Sequence, residues 1–317
     1  MNLKLLFSIT LIISYLYSKD IKPTFIINSK GFVNDFVIDN DNLYVANDEG
    51  SVEVFNLHTQ KIIDEIFIDP IYTKKQTWQN SRILSVDRQN GKTLILSNDE
   101  GPYRNLWIHD GKNLKHLIKA KDKLSIKEAR FISDDKFILG TLGYEITLYN
   151  VGDNYYSYKK QPEQSSFEDL ALSEDKKTMV SSSESGQIIL SDVKSGEVIK
   201  KFKPLNLDKV YQVAYKNGTV ITASQDRKVA VYLKDGTSYT IKSDFLIYSV
   251  ALSPSADIGV YSSNSNSDLQ IFNTKTKRKT DKLIGHYAIP TTIKFYDENS
   301  LFSAGYENKV FYWRLDK

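Results

Sequence analysis

The sequence predicts an all-β chain folded as a seven-bladed β-propeller, a closed ring of four-stranded antiparallel sheets. Three observations predict it. First, an apolar strand ending in an aromatic-plus-polar pair, or a degraded version of one, recurs as Val54-Phe55-Asn56, Ile108-His109-Asp110, Leu148-Tyr149-Asn150, Leu190-Ser191-Asp192, Val231-Tyr232-Leu233, Ile271-Phe272-Asn273 and Tyr312-Trp313-Arg314. From Phe55 to Trp313 the middle residues lie 54, 40, 42, 41, 40 and 41 positions apart, a period that marks propeller blades. Second, short β-rich runs alternate with Gly, Asn, Asp and Ser turns, and no stretch reads as a long amphipathic helix. Third, the final unit ends at Lys317 one strand short, while Thr24-Phe25-Ile26-Ile27 reads as a strand with no unit of its own.

In chain order, residues 1–18 come first and differ from the rest. Lys4 precedes an apolar run from Leu5 to Tyr17, and Ser18 offers a small residue for cleavage. The expectation is a secretory signal peptide and a periplasmic mature protein, residues 19–317, in one propeller domain. Thirteen residues at 1.5 Å each span about 20 Å, short of a hydrocarbon core of roughly 30 Å, so no membrane span is expected in the mature form. Cysteine is absent, which excludes disulfides, thiolate zinc sites and cysteine-ligated clusters. Net charge is +3 with the basic residues dispersed among acidic ones, so no nucleic-acid footprint is expected.

The strand Thr24–Ile27 is expected to complete the last blade from outside and so latch the ring, because an unpaired edge must otherwise be covered. Blade 4 shows the unit plan: strands at Phe167 to Leu172, Thr178 to Ser182, Gln187 to Leu190 and Val198 to Phe202, with turns at Glu174–Lys177, Glu184–Gly186 and Lys194–Gly196. Phe55, Tyr149, Tyr232, Phe272 and Trp313 are expected to fill one ring of core positions, with His109 and Ser191 as its weak places.

The last blade resembles the WD-repeat family in Gly285-His286, Ser303-Ala304-Gly305 and Trp313. In that family a loop His, a strand Ser, a turn Asp and a strand Trp form a structural hydrogen-bond network. The resemblance implies that role for His286, Ser303 and Trp313, with Glu307 where Asp is usual and Arg314 in place of a terminal Asp. Other blades keep fragments only: Asp48, Ser182, Ser224 and Asp226. A catalytic reading of His286 would need a nucleophile and an orienting group that this pattern does not supply. The export signal followed by degenerate repeats, notably Val52-Glu53-Val54-Phe55-Asn56 and Ser303 to Trp313, also resembles accessory WD-repeat propellers of periplasmic nitrate reductase systems. That resemblance implies a maturation or assembly role without catalysis.

Departures from the repeat point to function. Between blades 1 and 2 the spacing swells by about 14 residues over Phe67 to Ser81, and long loops in compact folds are often functional. This insertion and the enlarged turn Asn98–Asn105 belong to one face, where they would present Tyr72, Trp78, Tyr103 and Arg104, residue types favoured as interface anchors. Tyr144, Arg227, Tyr287 and Tyr306 are expected on the same face. The leading expectation is a protein-binding scaffold without catalysis: the sequence has no nucleophile elbow, metalloprotease helix, P-loop or dinucleotide motif, and no cofactor is expected. The expected partner is another periplasmic protein, such as the nitrate reductase complex or its maturation machinery, with the propeller itself a monomer. The alternative is a calcium-dependent propeller hydrolase of the lactonase kind, with Asn34, Asp35, Glu128, Glu168 and Asp169 converging in the channel, or a propeller binding another small ligand there.

Overall fold

Apolar runs bounded by turn residues form strands that pair with their sequence neighbours, and this repeats seven times. The computed structural model describes residues 18–152 and 155–315. The leader expected over residues 1–18 lies, apart from Ser18, outside the described residues. The seven innermost strands, in chain order, are Val33–Asp39, Ile83–Gln89, Ile126–Ser133, Phe167–Leu172, Val210–Lys216, Val250–Leu252 and Pro290–Asp297. Each begins a sheet whose next strands follow outward by hairpins. In blade 4 these are Thr178–Ser183, Ile188–Asp192 and Val198–Lys201, within two residues of the expected bounds.

The ring closes as the missing strand requires. Phe25–Asn28 pairs antiparallel with the third strand of blade 7, setting Phe25 opposite Tyr312 and Asn28 opposite Lys309. The N-terminal segment does more than the sequence suggested. Asp20–Ile21 pairs in parallel with the outer strand of blade 6, at Lys282 and Leu283, and gives that sheet a fifth strand. One short stretch therefore straps two neighbouring blades.

Among the described residues the core consists of seven apolar clusters, one at each blade–blade interface. The cluster that joins blade 7 to blade 1 contains Ile27, Phe36, Phe55 and Phe302, so the ring is sealed by packing as well as by strand pairing. Fully burying side chains of this size stabilises by roughly 1.5–3 kcal/mol each. Phe55, Tyr149, Tyr232, Phe272 and Trp313 are all buried, each against the preceding blade. The two weak places are filled differently. Beside half-buried His109, Trp107 packs into the interface between blades 1 and 2 and donates its indole N–H to Ser97 at 3.0 Å. Ser191 is fully buried, and its hydroxyl finds no partner.

The inner strands share one irregularity that shapes the channel. In blades 1, 2, 3, 4, 5 and 7 the register slips just before Asp35, Ser85, Glu128, Asp169, Gln212 and Thr292, respectively. Bulges re-aim side chains and bend a strand. At the same phase, blade 6 carries Ser249. The result is a polar residue from every blade at one level of the inner wall.

Candidate functional site

Three places on this scaffold carry polar or exposed chemistry: a network inside blade 7, the loop face with the insertion, and the channel. In blade 7, Trp313 Nε1 donates to Ser303 Oγ at 2.7 Å, Ser303 Oγ lies 2.7 Å from His286 Nε2, and His286 Nδ1 lies 2.7 Å from Glu307 Oε1. A neutral imidazole satisfies the chain: indole to hydroxyl, hydroxyl to Nε2, and Nδ1–H to carboxylate. Glu307 thus makes the contact to His286 expected of the turn carboxylate.

Contrary to the pattern-level expectation, His286 does have a hydroxyl on one ring nitrogen and a carboxylate on the other, the arrangement of a hydrolytic triad. Its setting is that of a core. The imidazole and Ser303 are fully buried, and the indole N–H of Trp313 already occupies the hydroxyl oxygen. Fragments of a similar network occur in blade 5, where Asn206 bridges Thr222 at 2.7 Å and Asp226 at 3.1 Å.

Strand direction alternates within a blade, so loops entering inner strands share a face with the turns between second and third strands. On that face the insertion is a small hairpin rather than an open loop: Ile71–Tyr72 pairs with Trp78–Gln79. Thr73 closes its turn through Thr77, at 2.9 Å between backbones. Asn80 ties it to Glu49 of blade 1 at 2.8 Å, and Glu100 of blade 2 accepts the Lys74 N–H at 3.0 Å. The hairpin presents its aromatics outward. Tyr72 and Trp78 contact each other, with ring centroids 5.1 Å apart, yet are 59% and 71% exposed.

Tyr287 and Tyr306 are also exposed, at 82% and 64%, and Arg227 projects from a turn in the left-handed conformation. Tyr103 and Arg104 are half-buried. Arg104 caps its own turn by donating to the carbonyls of Gly101 and Tyr103 at 2.9 and 3.0 Å, and burial beside Arg82 lowers its pKa. Tyr144 departs from expectation. It is fully buried, stacked edge-on against Phe167 with its hydroxyl 2.9 Å from Ser181, and takes no part in the exposed surface. Sequence reasoning missed Phe32 and Leu207, 57% and 79% exposed on the same face. Their signal was present: each is an apolar residue just ahead of an inner strand, where the turn grammar favours polar residues.

In the channel, the acidic residues considered for calcium do not converge into one cage. Asp35 accepts from Lys294 Nζ at 2.8 Å and from the Val86 N–H at 3.1 Å, and Arg130 lies between Asp35 and Glu128. Glu168 turns instead to Lys127 and Lys209, at 2.6 and 2.8 Å, and Asn34 donates to the Ile83 carbonyl. Among the described residues no group of three or more His, Cys, Asp or Glu could hold a metal ion. Burial pushes Glu128 up to about 8 and Asp169 up to about 6, while Lys294 and Arg130 overcome burial to hold Asp35 below its ordinary value.

Comparison with known proteins supports the fold. The β-propeller domain of Cps50 (Swd1) from Myceliophteria thermophila superimposes with a TM-score of 0.73, covering 93% of this chain and 99% of that domain at 13% identity. No family model and no curated protein matches the sequence. Among the described residues no helix is long and apolar enough to cross a membrane.

Proposed function

We propose that this chain is an exported, non-catalytic propeller that binds another protein through the face bearing the inserted hairpin. The observation that carries the reading is the concentration there of outward aromatic side chains, Tyr72, Trp78, Tyr287 and Tyr306. Isolated exposed apolar residues are ordinary, but large aromatics gathered on one rigid face are what interfaces use as anchors. Arg227, Tyr103 and Arg104 supply polar contacts around them.

The absence of catalysis is part of the same proposal. Its support is that the one Ser–His–carboxylate arrangement described above is sealed in the core. The finer reading takes the partner to be the periplasmic nitrate reductase complex or its maturation machinery. It rests on the resemblance of the export signal and degenerate repeats to accessory propellers of that system, as does membership of the WD-repeat family.

Affinity capture from periplasmic extract tests the reading, using the mature protein beside a Trp78→Ala/Tyr103→Ala variant. Recovery of a component of the nitrate reductase system by the parent protein, lost in the variant, is the expected result. Capture that is unchanged by the double substitution would refute the proposed face. Recovery of the propeller with cytoplasmic rather than periplasmic markers on fractionation would refute export.

A further inference from the structure

The channel wall is lopsided. Two residues beyond the polar level, blades 4, 5 and 6 carry Ala171, Ala214 and Ala251, while blades 2, 3 and 7 carry Asp87, Arg130 and Lys294. Where three successive blades have a methyl group, space opens: a cavity of about 540 Å³ faces the end of the channel opposite the aromatic surface. Its size falls within the range of small-molecule sites, which combine apolar walls with a few convergent polar groups. Val250, Leu252 and Pro254 extend the apolar side.

Lys176 lies at the mouth. From the first turn of blade 4 its ammonium reaches past blade 3 to donate to the side-chain oxygen of Gln89 in blade 2. Gln89 is itself fixed by donating to Asp134 at 3.1 Å. The Lys176 ammonium makes no direct ion pair among the described residues, and partial burial lowers its pKa although Asp87 and Asp134 act on it from a distance in the opposite sense. A cation held in a part-desolvated position by a neutral amide is poised to gain from an anion.

Deeper in, the cations are already paired, which leaves Lys176 as the cation open to a ligand. Arg130 is paired with Glu128 and Asp35, and Lys294 with Asp35 at 2.8 Å. The two lining carboxylates, Asp87 and Asp169, accept backbone N–H groups of Phe131 and Val213 at 2.7 and 2.9 Å.

We propose that this cavity binds a small organic carboxylate, with its apolar body against the alanine wall and its carboxylate at Lys176. The site is separate from the protein-docking face and does not depend on it.

Calorimetric titration of the full chain with phenylacetate tests this, with phenylacetamide and phenethylamine as matched neutral and cationic probes. Phenylacetate is expected to bind at least about tenfold more tightly than either. Lys176→Gln should weaken phenylacetate about tenfold while leaving phenylacetamide unchanged. Ala214→Leu should fill the cavity and abolish phenylacetate binding with circular dichroism unaltered. If that variant does not fold, Ala171→Val takes its place. Preference for phenethylamine, equal affinity for all three probes, indifference to Lys176→Gln, or no binding of phenylacetate up to about 10 mM would each overturn the proposal.

Discussion

Blades 7 and 4 occupy the same scaffold and solve the same packing problem with opposite means. In blade 7 Trp313 fills the interface and its N–H anchors Ser303, so the network is closed within one repeat plus its entry loop. In blade 4 the equivalent of Trp313 is Ser191 and the equivalent of Ser303 is Ser181, as the strand pairings Leu301–Trp313 and Met179–Ser191 show. There the missing bulk and the missing hydrogen bond are supplied from outside, by Tyr144 of blade 3. Glu163 stands at the phase of His286 and accepts from Ser183 and Ser185, at 3.1 and 2.5 Å. A degenerate repeat thus keeps its fold by borrowing across the blade boundary, which makes its stability depend on a neighbour.

That difference can be broken experimentally. Tyr144→Ala should be the most damaging change, costing about 3–5 kcal/mol by opening a cavity between blades 3 and 4, read as a lowered urea midpoint. Ser303→Ala leaves both the indole N–H of Trp313 and a ring nitrogen of His286 without partners. It should cost about 2–3 kcal/mol by the same measurement.

Titration separates the two blades as well. Asp169 of blade 4 stands where blade 7 has Thr292. Folded, Asp169 keeps its proton to about pH 6, whereas unfolded it loses it in the ordinary carboxylate range. The native state then binds more protons, so this group's contribution to stability falls as pH rises from about 4 to 6. Glu128, held up to about 8, extends the fall to that pH. Unfolding midpoints measured across this range should fall less steeply in Asp169→Asn than in the parent. The smallest effect should come from Ser191→Ala, which removes a buried hydroxyl without a partner and should raise stability by about 1 kcal/mol. A loss instead would mean that Ser191 has an unseen role in the interface.

Much of the architecture was legible because it is periodic. The strand endings from Phe55 to Trp313 fixed the blade count, and the orphan strand before Asn28 identified the closure. What periodicity cannot express is contact between repeats. Tyr144 sits in a turn whose phase points it outward, and only the small Ser191 and Ser181 across the boundary explain its burial. The pairing of Asp20 and Ile21 with blade 6 was equally hidden, since two residues carry no strand signal of their own. Outward exposure of Tyr72 and Trp78 followed from the length of the insertion, but the hairpin holding them depends on Thr73 and Thr77 meeting across its turn. The channel carboxylates were individually visible. Their division between Arg130 and Lys294 on one side and Lys127 and Lys209 on the other arises from the bulges and could not be counted off in advance.

The strap across blades 6 and 7 sets a rule for assembly. Residues 20–28 complete sheets built from residues 250–314, so this stretch waits unpaired until nearly all of the later blades are available. Bringing such distant segments together delays the rewarding contacts until late, which slows folding relative to a protein of local hairpins alone. The last two blades therefore act as a completion checkpoint, reached only when residues 20–28 and the strands up to residue 314 are present together.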